Sequence, residues 1–173
     1  MITIISATNR PNNLTMIFAK KYFQLLKNRE IEVQLFSLEE MSANFNLKNI
    51  YDYHHPEIIK LITKYISPAD KIVFVVPEYN SGIPGVFKVF IDAVKPVFWE
   101  NKKIAMVGVS SGKSGNLRGI DTMTNMFHYL KSEVLPFKVP ISQIHTIIDK
   151  DRNIIDEGTI KTIELQIEKF LKF

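Results

Sequence analysis

Runs of β-favouring apolar residues at 2–6, 31–36, 71–76 and 103–109 alternate with amphipathic helical spacing at 13–28, 56–67, 84–94 and 115–131. Neighbouring parallel strands need a long crossover, which a helix supplies, so this alternation predicts a parallel sheet with helices on both faces. The run Ile72-Val73-Phe74-Val75-Val76 has no polar alternation, as expected of a strand covered on both sides. A last strand is expected over 134–141, interrupted by Pro136 and Pro140. A last helix runs from about residue 156 to the end, with Thr159, Ile160, Ile163, Ile167, Phe170 and Leu171 at helical spacing. Five strands fit an α/β three-layer sandwich, first choice the order 2-1-3-4-5, second choice 3-2-1-4-5-6.

The 173 residues, 46% hydrophobic, suit one domain over 1–173 with a sizeable core. With no cysteine, disulfides, thiol catalysis and cysteine metal sites are excluded. The start, Met1-Ile2-Thr3-Ile4-Ile5-Ser6, has no basic leader and reads as a strand, and no apolar stretch approaches the ~20 residues that span a bilayer. A cytoplasmic location and no membrane partner are expected. The formal charge of +4 comes from scattered Lys and Arg, without the basic stripe that nucleic acid requires. The longest irregular stretch, 38–55, carries Asn44, Phe45, Asn46, Asn49, Tyr51, Asp52, Tyr53, His54 and His55, and is read as a cover for a site or a contact with a partner subunit.

In an open α/β sheet, ligands bind beyond the carboxyl ends of the strands, and three loops of this chain converge there. The first, 6–15, opens the first helix, so its backbone N–H groups are free and the helix dipole adds positive potential. Thr8, Asn12, Asn13 and Thr15 add hydrogen-bonding groups, and Arg10 offers a fork for phosphate oxygens. A monophosphate suits it; the Walker pattern and G-x-G-x-x-G are both missing. The plainer alternative is that Asn and Thr cap the helix. The second loop, 77–84, presents Tyr79, Asn80 and main-chain amides to the rim of a planar ring. Glu78 reads as an ion-pair partner or an anchor of that turn rather than a general acid. The third, 108–119, combines glycines that admit close backbone approach with the hydroxyls of Ser110, Ser111 and Ser114.

On these residues the sequence resembles the NADPH-dependent FMN reductase family, flavodoxin-like flavoenzymes that include chromate, quinone and azo-dye reductases. Pro77-Glu78-Tyr79-Asn80, followed by Pro84-Gly85 and Lys88, is similar to the family's P-E-Y-N-x-S-x-P-G-x-L-K signature. The resemblance implies that Pro77, Glu78, Tyr79 and Asn80 line the flavin ring. Residues 7–15 are similar to the family's G-S-x-R-x-x-S-x-N motif, which implies that Thr8, Arg10, Asn13, Leu14 (by its backbone) and Thr15 hold the FMN phosphate. Ser110, Ser111 and Gly112 would flank the ring on its other side. The chain departs from the motifs at Ala7 for glycine, Asn13 for serine and Thr15 for asparagine, and at Gly82, where the family serine is displaced to Ser81.

What the resemblance implies for chemistry is an NAD(P)H oxidoreductase in which FMN, at its N5, carries the hydride in a ping-pong exchange with a quinone, a flavin or a similar small acceptor. No catalytic side chain is expected, and no metal: His54 and His55 are adjacent and no spacing completes a site around them. The alternative is an FMN-binding electron carrier or flavin sensor without NAD(P)H turnover, against which the missing charged docking face counts. The resemblance also implies a homodimer. Lys113 and Arg118 are candidates for a nucleotide 2'-phosphate, His128 is read as a partly buried structural residue, and Trp99 suits a core, a dimer face or the flavin edge.

Overall fold

The computed structural model describes residues 1–41, 48 and 50–173; the expectations for Asn44, Phe45, Asn46 and Asn49 lie outside them. Strands β1 (Ile2–Ser6), β2 (Val33–Ser37), β3 (Lys71–Pro77) and β4 (Lys103–Val109) are parallel in the order β2-β1-β3-β4. The fifth position is shared by β5 (Glu133–Val134) and β6 (Val139–Ile141), both pairing with β4. The expected order 2-1-3-4-5 is therefore present, with the last strand broken in two. Pro136, which has no N–H to donate, falls in the break, and Pro140 is tolerated within β6 at the sheet edge.

Five helices follow the expected periods: α1 (Thr15–Lys27), α2 (Pro56–Leu61) running on into a π turn at Ile62–Ile66, α3 (Gly85–Ala93), α4 (Leu117–Tyr129) and, after a short α5 (Ile144–Ile147) that the sequence pattern did not predict, α6 (Glu157–Lys172). Alternation along the strands decides which side each helix takes. Ile5, Ile72, Phe74, Val76, Ile104 and Met106 point into one core, shared with α2, α3 and α4. Ile4, Val73, Val75, Ala105 and Val107 point into the other, covered by Phe18, Tyr22 and Leu26 of α1 and by Ile163, Ile167 and Phe170 of α6. Burying one such side chain is worth about 1.5–3 kcal/mol against about 1 for a typical hydrogen bond, so the apolar pattern dominates the layering. Trp99 belongs to the first core, fully buried among the rings of Phe74, Phe90 and Phe127. His128 differs from expectation: it is exposed on α4.

The broken fifth strand leaves a polar debt in the second core. Pairing on that side of β4 covers Lys103–Ile104 and Val107–Val109 but skips the middle. Gln166 of α6, fully buried, fills the gap. Its Nε2 donates to the carbonyls of Met106 (3.1 Å) and Phe137 (2.9 Å), while its Oε1 accepts from the Tyr22 hydroxyl at 2.6 Å. Burial pushes the Tyr22 hydroxyl well above the ordinary tyrosine range.

No helix among the described residues is long and apolar enough to cross a membrane, and no group of three or more His, Asp or Glu among them is placed to hold a metal ion.

Candidate functional site

Strand order reverses between β1 and β3, since β2 lies on one side of β1 and β3 on the other; the crevice at their carboxyl ends is where this architecture binds ligands. The first loop leaves β1 through Ala7, whose N–H donates to the carbonyl of Val75 at 2.9 Å. The Thr8 hydroxyl, fully buried, accepts from the Arg10 N–H (3.2 Å) and shares a 2.9 Å hydrogen bond with the Tyr79 hydroxyl, tying the first loop to the second. Either hydroxyl can be the donor in that pair.

Asn13 resolves the choice between capping and ligand binding. Its Oδ1 accepts from the Met16 N–H (2.9 Å) and its Nδ2 donates to the Arg10 carbonyl (2.9 Å), so the side chain is spent on holding the loop and starting α1. The backbone is not spent. Among the described residues the N–H groups of Asn13, Leu14 and Thr15 make no hydrogen bond, and they lie at the positive end of α1. Arg10 is exposed at the same end.

The second loop is a two-residue reversal. Tyr79 and Gly82 exchange N–H···O=C bonds of 3.0 Å each, with Asn80 and Ser81 both left-handed at φ 51° and 62°. That is the geometry of a type I′ turn, which Asn accepts readily. It presents Asn80 and Ser81 to solvent above the crevice, while Pro77 remains buried in the ladder opposite Val109. Glu78 turns to the third loop instead: its carboxylate accepts from the Ser114 hydroxyl and from the Asn116 N–H (3.1 Å). Asn116 returns the tie by donating its Nδ2 to the Val76 carbonyl at 3.0 Å. The second and third loops are thus tied into one wall.

The third loop is packed from within. The buried Ser110 hydroxyl donates to the Gly112 carbonyl and accepts from the Gly115 N–H, both at 2.9 Å, leaving Ser111 and Gly112 exposed at the rim. Gly108 must be glycine, because a Cβ there would lie 2.0 Å from the Gly115 carbonyl oxygen. Lys113 and Arg118 are both exposed on this loop and the helix start that follows it.

The residues predicted for the site therefore gather at one sheet edge. Arg10, Asn80, Ser111 and Gly112 are exposed there and Leu14 and Tyr79 half-buried; Thr8, Thr15 and Pro77 are buried, and the side chains of Asn13, Glu78 and Ser110 build the walls. Free helix amides beside an exposed guanidinium fit a monophosphate, and the adjoining rim of main chain and turn fits a planar ring. Sequence reasoning missed Arg152, whose Nη2 donates to the carbonyls of Asn12 (2.9 Å) and Asn13 (3.1 Å), and Asn116 in its bridging role. The signal for Arg152 was a turn pattern, Ile148-Asp149-Lys150-Asp151-Arg152-Asn153-Ile154, with polar turn formers between two isoleucines.

The chain is similar to a 2-hydroxy-1,4-benzoquinone reductase of Burkholderia sp, 28% identical over 159 residues, covering 83% of this chain and 86% of that one. An NAD(P)H-dependent FMN reductase of Pseudomonas aeruginosa is 27% identical over 127 residues, covering 70% and 68%. In three dimensions it resembles a flavoenzyme NAD(P)H:(acceptor) oxidoreductase of Paracoccus denitrificans, with a TM-score of 0.80 at 22% identity over 99% of this chain and 94% of that one, a likeness of fold. The model of the NADPH-dependent FMN reductases matches residues 1–146, a stretch that contains all three loops, and the chain belongs to that family.

Proposed function

We propose that the protein oxidises NAD(P)H and reduces a quinone or a similar small acceptor, with FMN held in the crevice between the first loop and the joined second and third loops. The observation that carries this reading is the set of unspent N–H groups of Asn13, Leu14 and Thr15 at the start of α1, beside Thr8 and Arg10. A phosphate dianion accepts from such amides with charge-assisted bonds of about 1.5–3 kcal/mol each, whereas an exposed ion pair is worth about 0–1, so the backbone provides most of the grip and Arg10 a supplement. FMN supplies the hydride chemistry when bound. The chain's part is to orient it. Tyr79, Asn80 and the Ser111-Gly112 rim would form the ring's border, and main-chain amides near Asn80 and Ser111 would stabilise negative charge on a reduced ring. The Glu78 ties fix the width of the slot. No side-chain nucleophile or acid is needed, and none is assigned.

The same proposal takes all of residues 1–173 as one FMN-binding domain, working in the cytoplasm, where NAD(P)H is available, as a homodimer. For the dimer the support is a groove of about 550 Å³ between α3 and α4, lined by Tyr51, Tyr53, Ile91, Met126, Tyr129 and Leu130, with Tyr129 86% and Tyr51 76% exposed. Aromatic residues standing in solvent beside an apolar groove are typical of an interface. The test is turnover: protein reconstituted with FMN should oxidise NADPH only slowly until a benzoquinone is added, then stoichiometrically with it. Flavin binding without quinone-dependent NADPH oxidation would overturn the reductase reading.

A further inference from the structure

Arg152 lies beyond the stretch that the family model matches, yet it is fastened to the loop assigned to phosphate, 139 and 140 residues earlier in the chain. The turn that carries it is closed from several directions. Ile148 and Ile154 form a β-bridge; the Asp149 carboxylate accepts from the N–H groups of Asp151 (2.9 Å) and Asn153 (2.8 Å) and from the Asn153 side chain (3.2 Å); and the Arg152 N–H donates to the Asp149 carbonyl at 3.0 Å. Arg152 itself sits in the left-handed region at φ 66°, which this bonding holds in place. Its guanidinium is thereby delivered to the outer side of the first loop, where one nitrogen, Nη2, bonds both carbonyls.

The consequence follows from the planarity of the peptide bond. In a trans peptide the C=O and the N–H point in opposite directions, and every described peptide here is trans. The Asn12 carbonyl shares a peptide plane with the Asn13 N–H, and the Asn13 carbonyl with the Leu14 N–H. Drawing both oxygens outward to Arg152 therefore turns both hydrogens the opposite way, and these are two of the three amides left without a partner at the start of α1. Asn12, left-handed at φ 55°, would relax more readily without that fastening. We propose that Arg152 is a positioning residue for phosphate recognition: it presets the Asn13 and Leu14 amides for the monophosphate of FMN without touching it. This rests on the FMN reading above and adds to it a residue from outside the family's matched region.

The test compares dissociation constants for FMN and for riboflavin, which has no phosphate, by flavin fluorescence titration of the full chain in four forms: wild type, Arg152→Ala, Arg152→Lys and Lys150→Ala. Arg152 is exposed and the turn is closed by Asp149, so the alanine variant should fold, as a thermal melt will verify. Arg152→Ala is expected to weaken FMN about tenfold, about 1.4 kcal/mol, and riboflavin less than twofold. Arg152→Lys should fall between it and the wild type. Lys150→Ala removes the same charge from the same turn without touching either carbonyl, and should leave the FMN-to-riboflavin ratio unchanged. Equal losses for both flavins on Arg152→Ala, no loss for either, or the same FMN-selective loss on Lys150→Ala would overturn the positioning role while leaving the FMN reading intact. A wild-type chain that binds neither flavin would overturn the FMN reading and this inference with it.

Discussion

Arg10 and Glu78 sit on the same sheet edge but stand in different relations to a ligand, and substitution should separate them. Arg10 is exposed and offers its charge to whatever binds at α1. Arg10→Ala is therefore expected to weaken FMN by up to about fivefold and leave riboflavin nearly unchanged, read by fluorescence titration; equal losses would reject the phosphate assignment. Glu78 joins the second and third loops through Ser114 and Asn116, so Glu78→Ala should loosen the slot and weaken both flavins to a similar degree. Gly108→Ala should cost more than either in stability, about 1–3 kcal/mol in chemical denaturation, because its methyl group would meet the Gly115 carbonyl oxygen and backbone must move. Arg10 was legible in the sequence because it lies within a local motif at a helix start. For Glu78 an anchoring role was one of two readings, the other an ion pair, and its partners were not legible: they lie 36 and 38 residues away, and nothing in the local pattern of either segment encodes the pairing.

At the scale of elements, the prolines of the fifth strand announced the break, but the remedy for it was hidden. Gln166 stands three residues after Ile163 and four before Phe170, on the apolar stripe of α6, and the stripe could be read without asking what a glutamine does in it. A polar residue on a buried face needs partners there, and the strand break supplies carbonyls. Gln166→Leu should leave the Met106 and Phe137 carbonyls and the Tyr22 hydroxyl unpaired and destabilise by about 2–5 kcal/mol, measured by urea unfolding. Tyr22 adds a pH signature. Its ionisation is suppressed in the folded chain, so the folded state holds the proton above the ordinary tyrosine value near 10 while the unfolded chain releases it. Its share of stability is thus complete below about pH 10 and is lost as pH rises above that value. Tyr22→Phe should lower stability at neutral pH, through the lost bond to Gln166, and unfold less steeply in alkali than the wild type; an unchanged alkaline slope would contradict the assignment.

For the whole molecule, strand order and layering were accessible because they rest on period-2 and period-3.6 patterns that recur along most of the chain, as the split of Ile4 and Ile5 between the two cores illustrates. Quaternary structure rests on patches with no period. The aromatic stretch that suggested a partner subunit lies partly outside the described residues, while Tyr129, the most exposed aromatic at the α3–α4 groove, gave no sign of itself on the amphipathic pattern of α4. If the proposed homodimer forms through this groove, Tyr129→Glu should convert it to monomers in sedimentation velocity without lowering the melting temperature by more than a few degrees; a wild type that sediments as a monomer would overturn the dimer, and a variant that stays dimeric would overturn this interface. A crevice that accepts flavin and reduces it is the property on which the proposed activity depends. The most direct measurement is the anaerobic absorbance spectrum of the protein mixed with FMN, before and after NADPH, beside a protein-free control. A perturbed flavin spectrum that bleaches faster than the control is expected; an unperturbed spectrum, or perturbation with no faster bleaching, would contradict the reductase reading.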